Sequence, residues 1–139
     1  MSRDHHHSLL LCWKIRTGLS KDVAPERIKG YADWMFSEHI LPHFEFEEKY
    51  MFPVLEPDHP LVKKALSEHR RLTRLFKGTK DLTRSLGLIE EELEQHIRFE
   101  ERVLFQEIQA AADAGQKEQI QRAHGHEKFQ DNMEDPFWI

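Results

Sequence analysis

Two segments of this chain repeat one another. His43-Phe44-Glu45-Phe46-Glu47-Glu48-Lys49-Tyr50-Met51-Phe52 and His96-Ile97-Arg98-Phe99-Glu100-Glu101-Arg102-Val103-Leu104-Phe105 share the pattern His-x-x-Phe-Glu-Glu-basic-x-x-Phe. On an α-helix, residues four apart stand one above the other, so each segment puts an imidazole and a carboxylate on one face. That is metal-ligand spacing. Such groups are costly to bury in a helical core unless a cation satisfies them. The repeat therefore constrains the chain to helices that bring their polar stripes together.

The hydrophobic periodicity supplies those helices. Leu9, Leu10 and Trp13 recur at helical spacing in a first helix over about 3–18, with Gly18 as a stop signal. A second, long helix over about 25–51 starts at Pro25 and carries Ile28, Tyr31, Ala32, Met35, Phe36, His39, His43, Phe46 and Tyr50 on one stripe. Pro42 lies inside it and is expected to disturb it, because proline lacks the N–H that a helix interior needs. Leu61, Ala65, Leu66, His69, Leu72 and Phe76 mark a third helix from about 60 to between 77 and 84. Leu88, Ile89, Leu93, His96, Phe99, Val103, Leu104 and Ile108 mark a fourth over about 88–112. With short connections and no alternating apolar runs, the expected fold class is all-α, an up-down-up-down four-helix bundle over about 3–112. A C-terminal extension, 113–139, is expected to lay a short helix and its apolar end, Pro136 to Ile139, against the bundle. The whole chain is expected to form one domain, since 139 residues suffice for a single core.

The first and third helices each offer a further histidine. Asp4-His5-His6 precedes Leu9, Leu10 and Trp13, and Glu68-His69 precedes Leu72 and Phe76. Registering His6 with Leu9 and Trp13 matches His69 with Leu72 and Phe76, although His5 and His7 compete for the role. The chain then reads as a duplicated two-helix unit, each half giving one lone His and one His-x-x-x-Glu. Mixed imidazole and carboxylate ligation without thiolate suits iron first, with zinc or manganese possible in its place. Glu47 and Glu100, on facing helices, can bridge two ions while histidines cap the outer sides. The ferritin-like pattern needs Glu-x-x-His on two helices. Its one match, Glu56 to His59, is broken by Pro57.

Composition removes other classes. With 20 Lys and Arg against 25 Asp and Glu, the formal charge of −5 provides no basic surface for nucleic acid. A single cysteine, Cys12, rules out an internal disulfide framework and Cys-rich zinc modules, and makes a reducing, cytoplasmic location the expectation. No apolar run is long enough to span a membrane. Nucleophile triads, P-loops and dinucleotide fingerprints do not occur. Ten histidines, more than the six glycines or six prolines, are the unusual quantity.

These residues resemble the hemerythrin-like, or HHE cation-binding, domains over about residues 3–110. The hallmarks are a His early in the first helix, His-Phe-x-x-Glu-Glu followed by Phe-Pro in the second, an acid-His pair in the third and His-x-x-x-Glu in the fourth. The resemblance implies a non-haem di-iron centre that binds or senses O₂, NO, peroxide or iron, with His6, His43, Glu47, His69, His96 and Glu100 as metal ligands. It also implies small diatomic molecules or peroxide as partners. A di-iron enzyme of the peroxidase, oxidase or iron-sulfur-cluster repair kind, and a metal-stabilised interaction bundle, are the alternatives. Oxygen carriers of the family place a second His one turn before the third-helix His, where this chain has Ala65. Their fourth-helix carboxylate corresponds to Glu101, whereas the internal repeat favours Glu100. His39, one turn before His43, is an alternative source of the missing ligand.

The remaining polar residues have blander expectations. His59, His124 and His126 read as solvent-facing, and Glu45, Glu48, Glu90 to Glu92 and Glu94 as an acidic surface. Cys12, Trp13, Tyr31, Met35, Tyr50, Met51 and Phe76 read as core.

Overall fold

The computed structural model describes residues 3–124 and 129–139, and these are helical apart from short connections and the C-terminal segment. The first helix, α1 (Arg3–Ser20), runs through Gly18, which is buried rather than terminal. A second rod begins with α2 (Pro25–Met35), whose proline occupies the first turn, where its missing N–H has no intrahelical acceptor to lose. The rod continues through a π-turn (Phe36–Ile40), α3 (Leu41–Phe46), a second π-turn (Glu47–Met51) and a 3₁₀ turn (Phe52–Val54). The disturbance expected at Pro42 takes this form: the π-turn ends just before it, and Pro42 falls in the first turn of α3.

The third rod is α4 (Pro60–Lys77), capped by His59, whose Nδ1 accepts the Leu61 N–H at 3.1 Å. His59 is thus a half-buried cap rather than a solvated loop residue. The fourth rod starts earlier than its periodicity suggested. Its first part, α5 (Leu82–Phe99), includes Gly87, and it continues through a π-turn (Glu100–Leu104) into α6 (Phe105–Ala111). A fifth helix, α7 (Ala114–Ala123), opens with a capping box between Asp113 and Gln116. Two of the π-turns begin on Glu47 and Glu100, the corresponding carboxylates of the sequence repeat. Single π-turns inside helices concentrate at functional sites.

Two apolar cores flank a polar layer. The larger includes Leu11, Ile15, Phe44, Leu72, Leu93 and Ile97, and the smaller Phe52, Val62, Ala65, Leu104 and Ile108. Between Phe44 and Phe52 the second rod carries Glu47, between Ala65 and Leu72 α4 carries His69, and between Leu93 and Leu104 the fourth rod carries His96 and Glu100. Along the chain, α4 passes from the smaller core to the larger, while the second and fourth rods pass the other way.

On α1 the buried face is Ser8, Leu11, Cys12 and Ile15, whereas Trp13 is 48% exposed and Leu10 37%. The apolar residues expected on the inner stripe of α1 are therefore partly outside, and the helix is rotated from the expected register. Cys12 lies in the core, where burial pushes its thiol up to about 12. The C-terminal segment 129–139 lies on α1 and the second rod, with Phe137 buried as expected. No helix among the described residues is long and apolar enough to cross a membrane.

Candidate metal centre

The rotation of α1 decides which N-terminal histidine enters the core. His5 is 1% exposed and reaches the polar layer, while His6 is exposed on the opposite side of the helix turn. The register of His6 with Leu9 and Trp13 failed because Trp13 faces outward. A different alignment, Asp4-His5 with Glu68-His69, holds the residues that the structure makes equivalent. His7 stacks on Phe129 at 3.9 Å between ring centroids.

Around fully buried Glu47 and Glu100 stand His5, His43, His69 and His96. The Nε2 atoms of His43 and His69 approach the Glu47 carboxylate at 3.0 and 3.1 Å. Those of His5 and His96 approach Glu100 Oε1 at 3.1 and 3.3 Å. Longer approaches, 3.7 Å from His5 to Glu47 and 3.8 Å from His69 to Glu100, close the cluster. Two ligand sets result, His5-His43-Glu47-Glu100 and Glu47-His69-His96-Glu100, each with its donor atoms within 4.8 Å of one another. The two sets share both carboxylates.

The outer nitrogen of each ring is held by a further carboxylate. Nδ1 of His5 donates to Glu101 at 2.6 Å, that of His69 to Glu48 at 2.8 Å, that of His43 to Asp4 at 3.1 Å and that of His96 to Glu68 at 2.7 Å. The pattern follows the duplication. The second Glu of each Glu-Glu pair holds the lone His, and the acid of each acid-His pair holds the His of a His-x-x-x-Glu. Holding a proton on Nδ1 leaves Nε2 as the inward-facing donor atom, the arrangement typical of metal-bound imidazole. Glu48 thus belongs to the site and not to a solvated acidic face. Glu101 and Glu100 divide the two roles that the sequence left open between them. The signal for these carboxylates was present in the acid-His and Glu-Glu pairs, but spacing alone does not distinguish them from surface charge.

Satisfied Nδ1 atoms contrast with the inner atoms. Nε2 of His43, His69 and His96, both oxygens of Glu47 and Oε2 of Glu100 are buried without an aligned hydrogen-bond partner. Buried polar atoms are normally paired, so a cluster of unaligned ones converging on shared points is what a cation would satisfy. The residues present fit a divalent cation in both chemistry and convergence.

The electrostatics agree. Burial pushes the His5 imidazole down, but the Glu100 and Glu47 carboxylates outweigh it and lift it to about 9. Burial likewise opposes, and neighbouring carboxylates overcome, in His43, with Asp4 and Glu47, and in His96, with Glu100 and Glu68, both lifted to about 10. His69 is raised by Glu100 and Glu47 against the same burial. Burial and mutual repulsion push Glu47 up, but the imidazoles hold it below the usual carboxylate range; burial also opposes in Glu100, which His96, His5 and His69 hold well below that range. Hydrogen bonding from His43 takes Asp4 down to about 2. Without a cation, protons held on the imidazoles offset the charge of the two buried carboxylates.

Ala65, which stands where oxygen carriers of the family have a further histidine, is fully buried in the smaller apolar core. His39 does not replace it. Its ring packs on Trp34 at 5.0 Å and Phe129 at 4.7 Å, away from the carboxylates. His124 is half-buried rather than solvent-facing, with Nε2 3.3 Å from Asp4 and its ring 5.4 Å from Phe46. His126 lies outside the described residues.

The two ends of the cluster differ in access. His69 is covered by the Phe44 ring, stacked at 3.8 Å, and by Phe52 at 5.5 Å. His43 borders an open groove of about 770 Å³ that is also lined by Phe46, Met51, Phe105, Ile120 and His124.

A helical chain that surrounds two buried carboxylates with four inward-facing imidazoles defines a cation-binding protein whose site lies between its helices. The chain belongs to the hemerythrin family: the hemerythrin HHE cation-binding domain matches residues 1–87. That stretch contains His5, His43, Glu47 and His69, while His96 and Glu100 lie beyond it. No curated protein and no solved structure matches the chain.

Proposed function

We propose that this protein is a non-haem di-iron protein that binds or senses O₂, NO or peroxide, with His5 and His43 at one iron, His69 and His96 at the other, and Glu47 and Glu100 shared by both. The observation that carries this reading is the pair of overlapping ligand sets with common carboxylates. The opposite order in which α4 and the two neighbouring long rods meet the apolar cores supports an up-down-up-down four-helix bundle formed by one domain.

Each ion would receive two imidazoles and the shared carboxylates, fewer donors than an octahedral ion accepts, so exchangeable positions remain. Iron supplies reversible electron transfer to a small ligand; zinc in the same donor set supplies none. The chain's own part is to aim Nε2 atoms inward through Glu101, Glu48, Asp4 and Glu68, and to exclude water at the His69 end with Phe44 and Phe52. The groove beside His43 gives a small ligand its approach, lined by Phe46, Met51 and Phe105. Nothing in this arrangement calls for nucleic acid or a membrane as partner, and the lone buried thiol fits a cytoplasmic setting.

Anaerobic loading of metal-free protein with Fe(II), followed by metal analysis and ultraviolet–visible spectra before and after O₂, tests the reading. Two retained irons and new charge-transfer bands on exposure are expected, and reversal of the bands on removing O₂ identifies a binder rather than an oxidase. Fewer than two irons with no new bands overturns the di-iron assignment.

A further inference from the structure

The segment 129–139 is tied to the helices by both polar and apolar contacts. Lys14 of α1 is buried, and its Nζ donates to the Tyr31 hydroxyl at 2.8 Å and to Asp131 at 2.5 Å. The Tyr31 hydroxyl donates to the other oxygen of Asp131 at 2.5 Å. The same ammonium lies 3.9 Å from the Trp138 ring centroid. Arg27 pairs with Asp135 through two nitrogens, at 2.6 and 2.9 Å. Phe137 fills the space over Gly18 so closely that an added Cβ there would meet its ring at 2.7 Å. Phe129 packs on His7 at 3.9 Å and on His39 at 4.7 Å.

All of these contacts fall on α1 or the second rod, the two elements that carry His5 and His43. Phe129 touches His7, two residues from His5, and His39, one turn before His43. His5 itself sits in the first turn of α1, where N–H groups lack intrahelical acceptors and helices fray. A segment that ties the outer seam of α1 and the second rod at Gly18, Lys14 and His7 in succession limits that fraying and fixes the spacing of the two helices. By contrast, His69 and His96 are supported by Phe44, Phe52 and each other.

We propose that residues 129–139 are a strap that positions the His5–His43 half of the metal centre, with Asp131 and Phe137 as positioning residues for one of its two cation positions. The proposal rests on the two-cation reading above. Coupling between sites is reciprocal, so filling the His5–His43 position also tightens the strap.

The test titrates metal-free full-length chain with Fe(II) under anaerobic conditions and follows stoichiometry by calorimetry and metal analysis, and hydrogen exchange of 129–139 by mass spectrometry. Wild-type protein is expected to take two equivalents, with exchange of the strap slowing on filling of the His5–His43 position. Asp131→Ala/Phe137→Ala is expected to keep one equivalent at wild-type affinity and to bind the second at least tenfold more weakly. Asp131→Asn, which preserves shape, should shift the second equivalent in the same direction by less, and it serves if the double variant does not fold. Val62→Ala, a truncation in the smaller core, which contains no residue of the strap, should lower thermal stability while leaving the ratio of the two affinities unchanged. Wild-type affinities in both strap variants, or parallel weakening of both equivalents as in a general loss of stability, overturns the proposal. If wild-type protein takes fewer than two equivalents, it is the two-cation reading that fails, and the strap proposal falls with it.

Discussion

Glu48 accepts the Nδ1 proton of His69 at 2.8 Å across two helices, and this contact has its counterpart in Glu101 and His5 at 2.6 Å. A residue that sequence alone places on an acidic surface is thereby part of the metal centre. Carboxylates behind metal-bound histidines fix ring orientation and raise donor strength, and their loss typically weakens metal affinity by about 10–100-fold. Glu48→Ala and Glu101→Ala should each do so in a competition titration against a chromophoric chelator. Glu45→Ala, at an exposed position one helical turn back, should not, and equal loss in all three would remove the assigned role.

The choice between His5 and His6 has a direct readout. His5→Ala should reduce bound metal by one equivalent, because no neighbouring imidazole reaches Glu100 from α1. His6→Ala should leave both equivalents in place, its side chain being exposed. The reverse result would mean that α1 turns by about one residue when metal enters.

The raised imidazoles make the metal-free protein sensitive to alkali. His5, lifted to about 9, and His43 and His96, lifted to about 10, stabilise the fold fully below their unfolded value of 6.5 and lose that contribution as pH rises through 9 to 10. Glu47 and Glu100 act in the opposite direction: held low in the fold, they contribute above the ordinary carboxylate value of 4.5 and lose it as pH falls below that. Thermal melts of the metal-free chain should therefore show falling stability from about pH 7 to pH 10, whereas metal-loaded protein, whose Nε2 atoms are already unprotonated, should fall less. Loading should release protons into a weak buffer near neutral pH. An apoprotein whose melting temperature is flat over the alkaline range would contradict the charge arrangement.

Gly18 has a steric reason to be glycine. A methyl group there meets the Phe137 ring at 2.7 Å and Ile28 Cδ1 at 2.9 Å, so the ring must move. Overpacking of this kind costs about 1–3 kcal/mol. Gly18→Ala should lower the unfolding free energy in urea by that order and increase protease cutting within 129–139. Gly30→Ala, where nothing lies within 4 Å, should be neutral or stabilising.

Helices, their approximate limits and the duplicated His-Glu motif were legible in the chain because period and spacing are local properties. Glu47, His69, His96 and Glu100 could be assigned to one layer on that basis alone, since apolar neighbours on both sides force those faces inward. The earlier start of α5 was hidden by Gly87, which a helix tolerates when other residues supply its packing. The inward face of α1 is not legible in the chain, because the exposed Leu10 and Trp13 are as apolar as a core requires.

The number of long helices, the residue types of the centre and its pairing by duplication all follow from patterns within a few turns of one helix. Packing between distant parts of the chain sets the rest: that His5 enters while His6 stays out, that Glu48 and Glu101 hold imidazoles, and that residues 129–139 lie on α1 and the second rod. Each of those outcomes depends on the rotation of one helix against another. That rotation is set by the summed packing of distant residues such as Phe137 on Gly18 and Lys14 with Asp131, and no local spacing records it.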